Sequence, residues 1–201
     1  MNELFVRLFL CELHKAGFED AAYDKEQDRV IISPAYSRLF VAREDNENLI
    51  YYNAESRHLI SPVRHLVDTT NMMVSMWEQA APMEIADVAN FRKLLDCNGV
   101  VFAARDDGDR GLHFVTWIYT YNRQDVGNGH YTTCFRAAAQ DFASRSGLIP
   151  KELTFEDAQL DLLRSTLAYR LENDEDLNVG DKQKIEDMLD GLEAVTEQKL
   201  T

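Results

Sequence analysis

An α+β fold, an antiparallel β-sheet backed by helices and followed by an acidic helical segment, is what the sequence predicts. Three observations carry it. Short runs rich in β-branched and aromatic residues, at 28–34, 37–43 and 48–53, are joined by connections short enough to favour antiparallel pairing. Residues 100–121 hold two further β-rich runs around a loop of Asp and Gly, which suit turn conformations. Around these stand stretches whose apolar residues recur at three- and four-residue spacing, the mark of amphipathic helices.

Taken in order, residues 2–16 read as a helix with Leu4, Phe5, Leu8 and Cys11 on one face. Gly17 suits the left-handed stop, and Phe18 the hydrophobic contact that accompanies it. The three strands follow, with Asp45-Asn46-Glu47 as a polar turn. Ser61-Pro62 then reads as cap and first residue of a helix carrying Val63, Leu66, Val67, Thr70, Met73, Val74 and Trp77. The cluster Met72, Met73, Met76 and Trp77 faces the core on this reading, because Met73 and Trp77 share the apolar stripe.

Pro82 and Gly99 bracket another expected helix, with Ile85, Val88, Phe91 and Leu95. After the hairpin, 132–146 is expected to be helical, with Phe135, Ala138, Ala139 and Phe142 inward and Gly147 at its stop. Thr154 with Asp157 resembles a capping box for a helix through about Glu172. A last helix, capped by Asp181, presents Ile185, Met188, Leu189, Leu192 and Val195. The expected order is α-β-β-β-α-α-β-β-α-α-α. The one boundary falls at Pro150, between an α+β body (1–150) and an acidic helical hairpin (151–201). The hairpin is expected to dock on the body, with Asp157, Asp161, Asp187, Asp190 and Glu193 outward, since two helices alone cannot cover their own apolar stripes.

With 201 residues, 45% of them hydrophobic, the chain can bury one good core. Its charge is the stronger guide to function. There are 35 Asp and Glu against 21 Lys and Arg, a net −14. Residues 151–201 hold 14 of the acids and 6 of the bases, so the acidity concentrates there. Nucleic acids and anionic membranes are bound through an excess of Lys and Arg, so neither is an expected partner. Cys11, Cys97 and Cys134 are odd in number, far apart and in no CxxC pair, which fits reduced thiols in a cytoplasm. The apolar run at 4–13 carries Arg7 and Glu12, is too short to span a bilayer, and lacks a basic leader and a clear cleavage site, so no membrane segment or signal peptide is expected.

Two stretches have the outline of a site. In DEDLNVGDKQKIE (174–186), Asp174, Asp176 and Asn178 match the first three ligands of a helix–loop–helix calcium site, with Glu186 as a late carboxylate. Val179 holds the glycine place, however, and Glu186 comes one position late, so the stretch reads as a solvated connector and no metal is expected. In GNGHYTTC (127–134), His130 precedes Cys134 by four residues near a helix start, where a thiolate gains from the helix dipole and an imidazole. The plainer reading is a glycine-rich strand-to-helix turn with structural His130 and Cys134. His14, His58, His65 and His113 form no zinc-type pair, and Asp106-Asp107-Gly108-Asp109 reads as a hairpin tip. No nucleophile elbow, Walker loop or dinucleotide fingerprint occurs, so no cofactor is expected.

From Trp117 the chain resembles a segment of uncharacterised accessory proteins of bacterial conjugative and other mobile elements. The residues that carry the resemblance are Trp117, Gly129, His130, Tyr131, Asp141, Phe142, Ala143, Arg145, Ser146, Gly147, Leu148 and Ile149, in a segment (117–149) that covers about a sixth of the chain. It implies a bacterial cytoplasm and an accessory role, and it supplies no catalytic residues. The leading expectation is therefore a non-enzymatic accessory protein whose partner is another protein. Two others stand beside it: an acidic nucleic-acid mimic of the antirestriction kind that occupies a DNA-binding protein, and an enzyme using His130 and Cys134.

Overall fold

The first helix, α1 (Glu3–Lys15), shows how local chemistry sets the elements. The Asn2 side chain accepts from the Leu4 and Phe5 N–H groups at 2.9 and 3.4 Å, covering two of the donors a helix start leaves open. At the other end Gly17 adopts φ 86°, its N–H reaches the His14 carbonyl, and the Phe18 N–H reaches Leu13 at 2.9 Å. That is the paired hydrogen-bond stop expected for glycine, and Phe18 packs on the core beside it. Phe5, Leu8, Phe9 and Leu13 are buried.

The computed structural model describes residues 1–33, 39–150, 155, 157–174 and 176–197, and the fold is α+β. The chain divides into two units, Met1–Leu148 and Ile149–Thr201. In the first unit, β1 (Ala22–Asp24), β2 (Arg29–Ile31), β3 (Phe40–Glu44) and β4 (Glu47–Tyr51) form an antiparallel meander in chain order. Asp45 and Asn46 make its tightest turn with φ 47° and 68°, a pair of left-handed residues that matches the strand twist. β1 was not expected, because three residues give too little alternation to read.

Next comes α2 (Ile60–Gln79), which buries Val63, Val67, Thr70, Met73 and Val74 and packs Leu66, Met76 and Trp77 against the same core. Met72 points outward. Ser61 is not its cap. The chain enters through Asn53 and Ser56, whose side chains each accept the other's N–H at 3.0–3.1 Å, and a 3-10 turn at Arg57–Leu59 leads directly into the helix.

The helix expected between Pro82 and Gly99 does not form. Instead β5 (Ala81–Pro82), β6 (Arg92–Cys97), β7 (Val100–Asp106), β8 (Leu112–Thr120) and β9 (Asp125–Thr132) build a second antiparallel meander in chain order. The helix-like spacing of Ile85, Val88 and Phe91 belongs to a loop with a 3-10 turn at Ala86–Val88, and a register shift between Lys93 and Leu95 spoils the alternation of β6. Asn98 and Gly99, at φ 48° and 80°, close the β6–β7 hairpin. Residues 127–132, expected as a turn, are also strand: β9 pairs with β8 from Asp125 to Thr132. Then α3 (Phe135–Arg145) buries Phe135, Ala138 and Phe142 and stops at Gly147, φ 71°.

The second sheet is buried on both faces. Val100, Phe102, Ala104, Leu112 and Phe114 join the main core with α1, α2, α3 and the first sheet. Val101, Ala103, Val115 and Trp117 face the other way, under Met83, Ile85, Val88 and Phe91 of the β5–β6 loop. This explains the unbroken apolar runs of β7 and β8.

The second unit contains α4 (Asp157–Asn173) and α5 (Val179–Glu197). Asn178, not Asp181, caps α5: its side-chain oxygen accepts from the Asp181 N–H at 2.9 Å, and its amide donates to the Asp181 carboxylate at 2.7 Å. Thr154 and the side chains of Asp157, Glu193 and Val195 lie outside the described residues. No described helix is long and apolar enough to cross a membrane.

Candidate functional site

His130 and Cys134 do not meet through a hydrogen bond. On β9, His130 stands opposite Thr116 of β8. Its Nδ1 lies 2.9 Å from the Asp141 carboxylate on α3, so the carboxylate fixes Nδ1 as the protonated nitrogen. The Asp141 carboxylate also accepts from the hydroxyl of Thr116, a residue with no exposed surface. Arg145, one turn further along α3, donates to the Thr116 carbonyl and hydroxyl at 2.8 and 2.7 Å and to the Asn128 carbonyl at 2.6 Å. A buried hydroxyl, a carboxylate and a guanidinium thus join β8, β9 and α3, with His130 at the solvent end, 62% exposed.

The other face of β9 is built just as closely. A Cβ at Gly129 would lie 2.6 Å from the Trp117 indole nitrogen and 2.8 Å from the Tyr131 ring, so only glycine lets that indole pack. Trp117 Nε1 donates to the Tyr131 hydroxyl at 3.3 Å, and its ring meets Phe91 edge-on. Asn98 Nδ2 reaches the Ser146 carbonyl at 2.7 Å, fixing the end of α3 on the β6–β7 turn. Trp117, Gly129, His130, Tyr131, Asp141, Arg145 and Ser146, scattered in sequence, make one structural node.

Chemically the node is a lock. The imidazole is oriented as a general base would be, but Thr116 is buried and already donates its proton to Asp141. Cys134 is exposed and stands at the α3 N-cap, and its own N–H is taken by Thr132 Oγ1 at 3.0 Å. Among the described residues neither the Cys134 thiol nor His130 Nε2 has a hydrogen-bond partner.

The acids expected at the calcium-like stretch serve their own chain. Asp174 pairs with Arg170 at 3.2 Å and accepts from the Asp176 N–H. Asn178 is the α5 cap, and Glu186 lies on the exposed side of α5, beyond two helical turns. The hairpin-tip acids are likewise engaged. Asp106 takes both Arg7 nitrogens, at 2.8 and 2.6 Å, which staples α1 to the β7–β8 tip. Burial works against the Asp107 carboxylate, but Arg105, His113 and Arg110 outweigh it and hold its pKa below the ordinary value. Nearby, burial pushes the Cys11 thiol up, and its sulfur donates to the Asp109 carbonyl. Among the described residues no three His, Cys, Asp or Glu side chains are grouped as a metal ion would need.

The Asp141–Thr116–Arg145 network was beyond sequence reading, because the β8–β9 register and the turn into α3 decide which residues meet. No family model, no curated protein and no solved structure matches the chain.

Proposed function

We propose that the chain is a non-enzymatic accessory protein that acts by binding another protein through its helical hairpin, in the bacterial cytoplasm that the resemblance at 117–149 implies. One observation carries this reading: α4 exposes two large apolar side chains, Leu162 and Tyr169. Among the described residues of the second unit only Ile185 is buried, while Leu160, Leu163, Leu167, Leu189 and Leu192 are half-buried. Leu162 and Tyr169 are 67% and 69% exposed. They stand seven residues apart on α4 and so share a face. Exposed acids, Asp161 on α4 and Glu186, Asp187 and Asp190 on α5, keep such a surface in solution and bias it toward a basic partner. Paired apolar residues rimmed by charge are the usual composition of a protein-binding patch.

The test is co-purification of the full-length chain from its host, beside the double variant Leu162→Asp, Tyr169→Asp. A stoichiometric partner lost in the variant, with an unchanged melting temperature, supports the reading. The same set of proteins in both preparations contradicts it.

A further inference from the structure

We propose that the outer face of the second sheet holds a binding site for a small free carboxylate, anchored by Lys93 and closed by Arg123 and Tyr119. This goes beyond protein binding by the hairpin and does not depend on it. A small open cavity of about 110 Å³ lies here, with Pro82, Met83 and Ile85 as its apolar wall and Lys93, Tyr119 and Arg123 as its polar side. Its size suits a ligand of the order of propionate or butyrate, since a cavity of about 150 Å³ holds benzene.

Two features point to a ligand. Lys93 is half-buried on β6, yet among the described residues it has neither an ion pair nor a hydrogen bond. Its stem can lie along the apolar wall while the ammonium stays at the cavity mouth, where it is open to an anion. The second feature is backbone strain. Tyr121, Asn122 and Arg123, joining β8 to β9, all adopt left-handed conformations, with φ 47°, 54° and 69°. Three such residues in succession, none of them glycine, persist only where the surroundings impose them, and they cluster at binding and active sites.

What this turn achieves is the placement of one guanidinium. Arg123 lies 4.8 Å over the Tyr119 ring and donates to both oxygens of Asp96, at 2.7 and 3.0 Å. Asp96 takes the end of the fork and so holds Arg123 in place at the cavity's edge. Burial, with the Asp96 carboxylate beside it as charge and as hydrogen-bond acceptor, keeps the Tyr119 phenol protonated. An incoming carboxylate meets the unpaired ammonium of Lys93, and its carbon chain lies on Met83 and Ile85. Glu84 also lines the cavity and opposes an anion, so its removal should tighten binding.

The experiment is a titration of the full chain with sodium butyrate, followed by backbone NMR shifts. The expected result is saturation with a Kd on the order of 1 mM, centred on residues 82–85, 93 and 119–123. Lys93→Gln should weaken it about tenfold at unchanged melting temperature, Lys93→Arg should retain it, and Glu84→Gln should strengthen it. Acetate, without the chain, should bind more weakly. Shifts that never saturate, or affinities equal for butyrate and acetate, or a Lys93→Gln protein that binds as tightly as the native one, would overturn the proposal. Should Lys93→Gln not fold, Tyr119→Phe and Glu84→Gln, read in opposite directions, decide it.

Discussion

The Asp141 carboxylate receives His130 Nδ1 on one side and the buried hydroxyl of Thr116 on the other, so one side chain of α3 holds both β9 and β8. The two contacts differ in worth, because one is in water and the other is not. Asp141→Ala strands a fully buried hydroxyl and leaves Arg145 with less opposing charge, and should cost about 1–3 kcal/mol in urea unfolding. His130→Ala removes only the exposed end and should cost under about 1 kcal/mol. Equal losses would mean that His130, not Thr116, is what Asp141 serves.

A methyl group at position 129 has nowhere to go. Gly129→Ala should displace the Trp117 indole, break its hydrogen bond to Tyr131 and cost about 1–3 kcal/mol as an overpacked site. The near-ultraviolet circular dichroism of Trp117 should change as well, which a purely entropic effect on the unfolded chain would not produce.

Much of the fold was legible where one local rule decides. Asn2, Gly17 and Phe18 bound α1 by their own hydrogen bonds, and the stripe from Val63 to Trp77 faces the core because 3.6-residue spacing leaves no other choice. Between Pro82 and Gly99 two rules competed. Ile85, Val88, Phe91 and Leu95 stand at helical spacing, but Asn98-Gly99 is a strong hairpin signal, and with the apolar run of β7 after it the turn prevails. In β9 the glycines and polar residues hid a strand whose stability comes from its neighbour β8. The candidate site was legible only in part. His130 was singled out for its distance along the chain from Cys134, while its real partner, Asp141, lies eleven residues on and is reached only because α3 folds back over the sheet.

Acid should act on the α2–α3 contact. His65 Nε2 accepts from Arg136 at 3.1 Å, which requires a neutral imidazole with its proton on Nδ1. Burial first, and then the Arg136 charge, pulls the His65 pKa below 6.5. The folded state therefore binds fewer protons than the unfolded one, and the stability linked to His65 is complete above about pH 6.5 and declines as the pH falls from there toward the folded pKa. The melting temperature should drop between neutral pH and about pH 5.5, and His65→Gln, which can still accept from Arg136, should flatten that slope. An unchanged slope in the variant would place the acid sensitivity elsewhere.

The three thiols should differ in reactivity for reasons of access. Cys134 is exposed, Cys11 and Cys97 are half-buried, and burial also raises the pKa of Cys11. Iodoacetamide at neutral pH should therefore label Cys134 first, at the rate of an ordinary exposed cysteine, and titration of the unfolded, unreduced chain should find all three thiols. A Cys134 rate far above that of a free thiol would signal activation and favour an enzyme.

The most direct measurement of the hairpin's role is photo-crosslinking in living cells, with a benzophenone side chain in place of Tyr169 on α4 and, as a control, in place of Tyr52, which is exposed in the first unit. If the uncovered face of α4 binds a partner, position 169 gives a discrete adduct that Leu162→Asp abolishes, and position 52 gives none. No adduct at 169, or the same diffuse products at both positions, would contradict a protein-binding role for the hairpin.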